Sequence, residues 1–412
     1  MPTETEDVWR DLAPHALARL LRTYGRDQFE LCEDAVADAL LDAHRQWPAE
    51  PPDDPRAWLV TVARRRYVDR VRAETRRRER EERAALLAQP LADAAPRAGD
   101  DALLLLQLCC HPAVSRSGQV ALTLRAVCGL TVRQIANAHQ LPESTIAQRI
   151  TRAKKRITQA GKEFPGPVDA AERLGAVLDV LYLMFTEAHH TTTGEPAHDT
   201  DLAAEAIRLA RLLRSAVPES TEAAGLLALM VLTEARHPAR VGPAGELIPL
   251  DQQDRGLWDR PLIDEGLAIL DAVTPGAVPG GYLVQACIAG LHAHAADTEA
   301  TDWDEIHALY TVLDHLSGGA NPTVRLNRIV AAAMLFGEDA ALAQLDELAG
   351  EHPDLPRLES VRAHLRERFG DAGGATVAYR RAIAATVNVA EKRYLQQRLQ
   401  ALDRAAAATD DT

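Results

Sequence analysis

Residues 131–157 contain two short helical patterns on either side of a tight break, and the second pattern has two distinct faces. Its apolar residues recur at the spacing of one stripe along an α-helix. These residues are Ile146, Ile150, Ala153 and Ile157. The opposite face carries the kinds of side chain that contact base edges and phosphates. These residues are Thr145, Gln148, Arg149 and Arg152. The pattern therefore predicts a helix-turn-helix in which the second helix is the recognition helix.

The local sequence also indicates where the two helices begin. Thr131 and Gln134 have the spacing of a capping box, which predicts the start of the first helix, residues 134–138. Pro142 suits the first position of the second helix, where a missing N–H costs nothing. An ordinary helical hairpin with a solvated basic face is the alternative at this point.

The composition favours an all-α protein, because Ala and Leu dominate its 412 residues and alternating β-branched runs are missing. We expect no membrane span and no signal peptide, since no apolar run is long enough and residues 1–7 are acidic. Five irregularly spaced cysteines suit reduced thiols, and hence a cytoplasmic protein. The Cys109-Cys110-His111 cluster lacks a CxxC partner, so we expect neither a metal nor a cofactor.

The net charge of −14 is distributed unevenly along the chain. Residues 1–55 carry −8 and residues 166–412 carry −17, whereas residues 56–83 carry +6 and residues 84–165 carry +5. Two basic stretches inside an acidic chain indicate where a polyanion such as DNA would bind.

Two helical patterns come before the first basic stretch, over residues 7–24 and 28–47. On the second helix Asp34, Asp38 and Asp42 stand four residues apart along one face. Like charges at this spacing weaken an isolated helix. The carboxylate row therefore needs either solvation or a cationic partner.

A third helix opens at Pro55 and continues through Val71 into a stretch with eight arginines in fifteen residues. They are Arg64, Arg65, Arg66, Arg70, Arg72, Arg76, Arg77 and Arg78. Such a run is a solvated face or a nucleic-acid surface. Tyr67, among these arginines, is a candidate for stacking on an unpaired base.

Residues 84–100 have the composition of a flexible linker, and residues 164–167 form a second boundary. Helical patterns then fill residues 168–404. Near the end the small and aromatic positions match a tetratricopeptide unit, in which small residues let paired helices approach closely. These positions are Ala363, Gly370, Ala375, Tyr379 and Ala382.

These segments, in this order, resemble the extracytoplasmic-function (group IV) sigma factors of bacterial RNA polymerase, in the sigma-70 family. The stretches 32–39, 58–72 and 142–154 look like the family's core-binding, −10 and −35 segments. The resemblance implies sigma region 2 over residues 1–83, a linker over 84–100 and a region 4 helix-turn-helix over 101–163. A subgroup carries a long tetratricopeptide-like helical extension that is thought to govern activity, and residues 168–404 resemble it.

The resemblance also implies roles for individual residues. Clamp helices of the largest polymerase subunit would contact Asp34, Asp38, Leu41 and Asp42. The −10 element would contact Arg64, Arg65, Arg66, Tyr67, Arg70 and Arg72. The −35 element would contact Ser144, Thr145, Gln148, Arg149, Arg152, Lys154 and Lys155. The acidic extension would contact the basic sigma domains of its own chain, with an inhibiting or activating effect.

Two other functions compete with a promoter-specificity subunit. A one-component regulator would use the helix-turn-helix alone, with the helical array as a ligand sensor, but it needs neither the carboxylate row nor the arginine helix. An enzyme in the C-terminal array would use His189, His190 and His198, or His292, His294 and His307. No nucleophile–base spacing and no phosphate loop supports an enzyme. The sequence leaves open the promoter, the regulon, the signal and the oligomeric state.

Overall fold

The computed structural model of the chain describes residues 4–48, 50–79, 98–138, 141–160, 170–189 and 200–410. Within these ranges the chain is built from α-helices and short 3₁₀ turns, and one isolated bridge joins Val241 to Leu247. The prediction of an all-α protein is therefore confirmed. None of the described helices combines the length and the apolar character that crossing a bilayer requires.

The chain divides into two compact units, residues 1–187 and 188–412. The boundary lies within the predicted C-terminal domain, whose first helix falls almost entirely in the first unit. The first unit contains α1 (Glu4–Tyr24), α2 (Phe29–Gln46), α3 (Pro55–Glu79), α4 (Ala98–Cys109), α5 (Arg116–Ala126), α6 (Val132–Ala138), α7 (Glu143–Gln159) and α8 (Ala170–His189). Apart from its last three residues, the predicted linker 84–100 lies outside the described residues.

Helices α1, α2 and α3 pack on one another around a buried apolar centre. Phe29 and Leu59 are fully buried there. At one end three tryptophans meet: the Trp9 and Trp47 rings stack with centroids 4.7 Å apart, and Trp58 meets Trp47 edge-on at 5.4 Å. The rings are half-buried, and their packing on one another helps to set how the three helices cross and where the carboxylate row lies relative to the arginines.

The second unit contains α9 (Thr200–Ala216), α10 (Thr221–Glu234), α11 (Arg260–Val273), α12 (Gly281–His294), α13 (Trp303–Leu316), α14 (Pro322–Phe336), α15 (Glu338–Glu351), α16 (Leu358–Arg368), α17 (Ala372–Ala385) and α18 (Val389–Asp410). Most of these helices pack on their neighbours in sequence. Helices α10 and α12 come especially close at Gly225, where a Cβ atom would lie 2.5 Å from the backbone nitrogen of Leu283. Glycine is therefore required for this approach.

The predicted repeat positions form a helical hairpin, α16–α17. Ala363, Ala375, Tyr379 and Ala382 are buried in it, and Gly370 occupies the turn with a φ of 91°. Gly337 occupies the turn between α14 and α15 with a φ of 86°. Positive φ explains why glycine stands at both turns. Assignment of these hairpins to the tetratricopeptide class stays a prediction.

Candidate nucleic-acid interface

Helix α7 shows the two faces that its sequence predicts. Ile146, Ile150, Ala153 and Ile157 are buried, and the helix packs on α5 and α6. On the other side Ser144, Gln148, Arg152 and Lys155 are exposed, and Thr145 and Arg149 are half-buried. Neither Arg149 nor Arg152 forms an ion pair with another described residue. Their guanidinium groups are therefore available to an anionic ligand.

The capping box that begins α6 is confirmed. The Gln134 backbone N–H donates to Thr131 Oγ1 at 3.2 Å, and the Thr131 N–H donates to Gln134 Oε1 at 2.9 Å. Pro142 is the N-cap of α7 with extended backbone, rather than its first helical residue as predicted. The helix instead begins at Glu143, whose negative charge suits a helix N-terminus. Residues 139 and 140 of the turn lie outside the described residues.

Lys154 lies in a different environment from the other predicted −35 residues. Its side chain is only 14% exposed, it pairs with Glu33 of α2, and its Nζ lies 5.8 Å above the centre of the Phe29 ring. In this conformation the ammonium group of Lys154 is already engaged, so its contact with DNA stays a prediction that requires release from Glu33. Lys154 follows the apolar stripe of α7, so it faces the packed side. Lys155 is exposed.

The carboxylate row on α2 has a cationic partner within the chain. Arg66 Nε donates to Asp42 at 2.8 Å, and Arg70 contacts both Asp38, at 2.7 Å, and Asp34, at 3.2 Å. Hydrogen bonding to Asp42 raises the pKa of Arg66. The arginines of α3 thus supply the compensating charge that the row requires. Beside the row, Leu41 is 55% exposed, which is unusual for a large apolar side chain in a packed helix.

The arginines of α3 fall into two groups. Arg66 and Arg70 are held by the carboxylates of α2. Arg64, Arg65 and Arg72 are exposed and form no ion pair with another described residue. The side chains of Arg76, Arg77 and Arg78 lie outside the described part of the structure. Three cations of the predicted −10 set are therefore available, and two are engaged.

Tyr67 is buried, with 7% of its surface exposed. Its ring stacks on Tyr24 with centroids 3.8 Å apart. Burial also raises the pKa of Tyr67 well above its ordinary value. In this conformation the ring of Tyr67 belongs to the core formed by α1 and α3, so its stacking on an unpaired base stays a prediction.

Two residues that the sequence analysis did not single out connect α2 with the helix-turn-helix. Glu33 accepts from Lys154, and Arg125 Nε approaches it at 3.6 Å. Arg26 Nη2 donates to the carbonyl oxygen of Ala160, at the end of α7, at 2.6 Å. No sequence signal could identify these pairs, because the partners lie more than ninety residues apart. Glu33 therefore joins α2 to the helix-turn-helix through ion pairs, and Arg26, in the turn before α2, adds a hydrogen bond to the end of α7.

Family comparisons divide the chain in the same order. Residues 14–77 match the family model of sigma-70 region 2, residues 110–157 match sigma-70 region 4, and residues 173–274 match a family of unknown function, DUF6596. A protein of Rhizobium meliloti (strain 1021), described only as uncharacterized, is 41% identical to this chain over 415 residues. The aligned region covers 97% of each of the two chains. No solved structure matches the chain. The first range contains the carboxylate row and arginine helix, and the second contains α5 to α7.

Proposed function

Because this chain belongs to the extracytoplasmic-function sigma factors of the sigma-70 family, with a C-terminal extension, we propose that it directs RNA polymerase core to promoters with separate −35 and −10 contacts. The observation that carries this proposal is the two-faced surface of α7: its apolar face is buried, and Arg149 and Arg152 form no ion pair with another described residue. The sigma-70 domains indicate a transcription factor that is not an enzyme.

At the −35 element we assign base contacts to Gln148, Arg149 and Arg152. An arginine that contacts guanine through two hydrogen bonds discriminates strongly between bases, and a glutamine can do the same for adenine. Ser144, Thr145 and Lys155 lie at the start and along the flank of α7, where they would contact phosphates. Lys154 joins them only in an arrangement that releases it from Glu33.

At the −10 element we assign DNA contacts to the exposed Arg64, Arg65 and Arg72. Arg66 and Arg70 would join them when their carboxylate partners are taken by another cation. For core polymerase we assign the surface formed by Asp34, Asp38 and the exposed Leu41, which offers negative charge beside an apolar side chain. The side chain of Asp42 is only 12% exposed and pairs with Arg66, so Asp42 would join this surface only if Arg66 were displaced. Such a surface suits the basic clamp helices of the largest subunit.

Transcription in vitro tests the proposal. Purified full-length chain, added to bacterial core polymerase on genomic DNA of the source organism, should produce transcripts that start downstream of one shared pair of elements. Core polymerase alone is the control and should give none of these starts. Sequence-specific binding to DNA without polymerase, together with no new transcript, would instead indicate a one-component regulator.

We also assign control of activity to the extension, through contact with the sigma domains. Residues 166–412 carry −17 and residues 56–165 carry +11 on one chain, which gives a high effective concentration. One ion pair supports this assignment: Arg116 of α5 donates to Asp179 of α8, and Asp179 lies within the range of unknown function.

The lysines provide a direct test of this contact. The chain has four, at positions 154, 155, 162 and 392. Carbodiimide coupling of amines to carboxylates at low protein concentration should join lysines 154, 155 or 162 to acidic residues between 200 and 410. Coupling confined to residues 1–187 would contradict the assignment.

A further inference from the structure

The second unit contains a cavity of about 300 Å³ among residues of α12 to α14 and α16 to α18. This volume is in the range of small-molecule sites. Leu326, Val330 and Met334 of α14 provide much of its apolar surface, and Leu395 of α18 adds to it. Neither the sigma regions nor promoter recognition requires a cavity here.

Several polar groups of the cavity lining are held in place by hydrogen bonds or by burial. Arg255 Nη1 donates to the carbonyl oxygens of His292 and Ala295, both at 2.6 Å, and its guanidinium lies 4.7 Å from the centre of the Trp258 ring. Burial, together with Arg236 and Arg255, lowers the pKa of His292 to about 4, so the imidazole is neutral near pH 7. Burial raises the pKa of Tyr310 to about 12, so its hydroxyl stays protonated. These lining groups are fixed donors and acceptors, and Arg255 adds a positive charge.

Among the lining residues, Arg357 has an unusual backbone conformation. Its φ is 68°, and among the described residues it alone has a positive φ without being glycine. A left-handed backbone conformation is strained for a residue with a Cβ atom, and such strain is concentrated at functional sites. The Arg357 side chain is 69% exposed, and its Nε lies 4.0 Å from Glu391. Among the described residues, Glu391 is its one acid partner, and this loose contact leaves most of the Arg357 donors available.

The charges around the cavity favour an anion. The lining carries three arginines, Arg255, Arg357 and Arg368, and two carboxylates. Both carboxylates are already engaged: Asp251 with His364 at 3.2 Å, and Glu391 with the hydroxyl groups of Ser360, at 3.2 Å, and Thr386, at 2.6 Å. The cavity therefore presents excess positive charge within a strongly acidic part of the chain.

We propose that this cavity binds a small organic anion, with its apolar body against Leu326, Val330 and Met334 and its acidic group at Arg357 and Arg368. This site is separate from the DNA-binding surfaces and does not depend on the proposed promoter specificity. Because the site lies in the extension, a bound ligand would regulate the activity that the extension is proposed to control.

Two fluorescent probes that share an aromatic body test the site on the full-length chain. 8-Anilinonaphthalene-1-sulfonate carries one negative charge, and N-phenyl-1-naphthylamine carries none. We expect saturable binding of the sulfonate at one site per chain. Arg357→Gln should weaken the sulfonate about tenfold and leave the neutral probe unchanged, because only the charged group loses a hydrogen-bonded partner. Arg380→Gln, an exposed charge of α17 outside the cavity, is the matched control and should change neither probe.

Filling the cavity tests its location. Val330→Trp should remove binding of both probes, and so should Thr323→Trp, at an exposed lining position that a folded chain tolerates more readily. Circular dichroism checks that each variant remains helical. Sulfonate binding that survives Thr323→Trp in a folded chain would overturn the site. Equal affinities for the two probes, with no effect of Arg357→Gln, would overturn its preference for an anion.

Discussion

Replacing Asp34 and Asp38 together by Arg should reduce the affinity for core polymerase by about a hundredfold or more, because like charges placed across an interface cost several kcal/mol. Asp34 is 57% exposed and Asp38 is 35% exposed, so both can reach a partner surface. Co-purification of the full-length variant with core polymerase measures the loss, and a binding titration gives its size.

Two further variants show whether this loss is specific. Glu50→Arg with Asp53→Arg makes the same change in net charge at exposed positions outside the row and should leave core binding intact. Arg70→Gln removes the internal partner of Asp34 and Asp38 but keeps both carboxylates, so core binding should be preserved or become tighter. A doubly reversed chain that is folded and still binds core at wild-type strength would exclude the row as the contact surface.

Arg149→Ala should relax the base preference at one or two positions of the −35 element, by about 10- to 100-fold, because a good two-point contact with a base is worth about 1–3 kcal/mol of discrimination. Arg149 is half-buried beside the packed face of α7, so its side-chain stem is restrained and its guanidinium would approach DNA with little freedom. Selection from a randomised −35 library by holoenzyme measures the preference at each position.

Lys155→Ala serves as the comparison for Arg149→Ala. Lys155 is exposed on α7, and loss of a phosphate contact should weaken binding evenly across sequences and flatten its salt dependence. Arg149→Ala should therefore change which −35 sequence is selected, whereas Lys155→Ala should change only the affinity for DNA. An Arg149→Ala chain that selects the wild-type −35 sequence would contradict the assignment of α7.

The sequence predicted those features that depend on short-range periodicity. The apolar stripe of α7 and the capping box at Thr131 are local patterns, and both are confirmed because neighbouring side chains alone decide them. The environment of Lys154 could not be predicted in this way. Lys154 stands one position beyond the stripe, where the spacing does not show whether a side chain faces solvent or α2. The burial of Tyr67 is also not visible in the local pattern, since an aromatic residue among arginines can belong to either face of α3.

Contacts between distant residues could not be predicted in this way. The pairing of Asp42 with Arg66 requires knowledge of how α2 crosses α3, and that crossing depends on the packing of Trp9, Trp47 and Trp58. The cavity likewise gathers residues from positions 247 to 395. In the sequence these residues appear as scattered members of Ala- and Leu-rich helices, and only the stacking of several hairpins brings them around one space.

The ion pairs between α2 and α3 make the two proposed partners thermodynamically dependent on each other. A polymerase surface that drew Asp38, and with it the more buried Asp42, away from α3 would leave Arg70 and Arg66 without counterions, and promoter phosphates are the groups best suited to replace them. By linkage, DNA that engages these arginines frees the carboxylates and tightens polymerase binding by the same factor. In the free protein these charges neutralise each other, so that side of α3 attracts little DNA on its own. This exchange of ion-pair partners would keep the affinity of the free sigma factor for chromosomal DNA low until it binds polymerase.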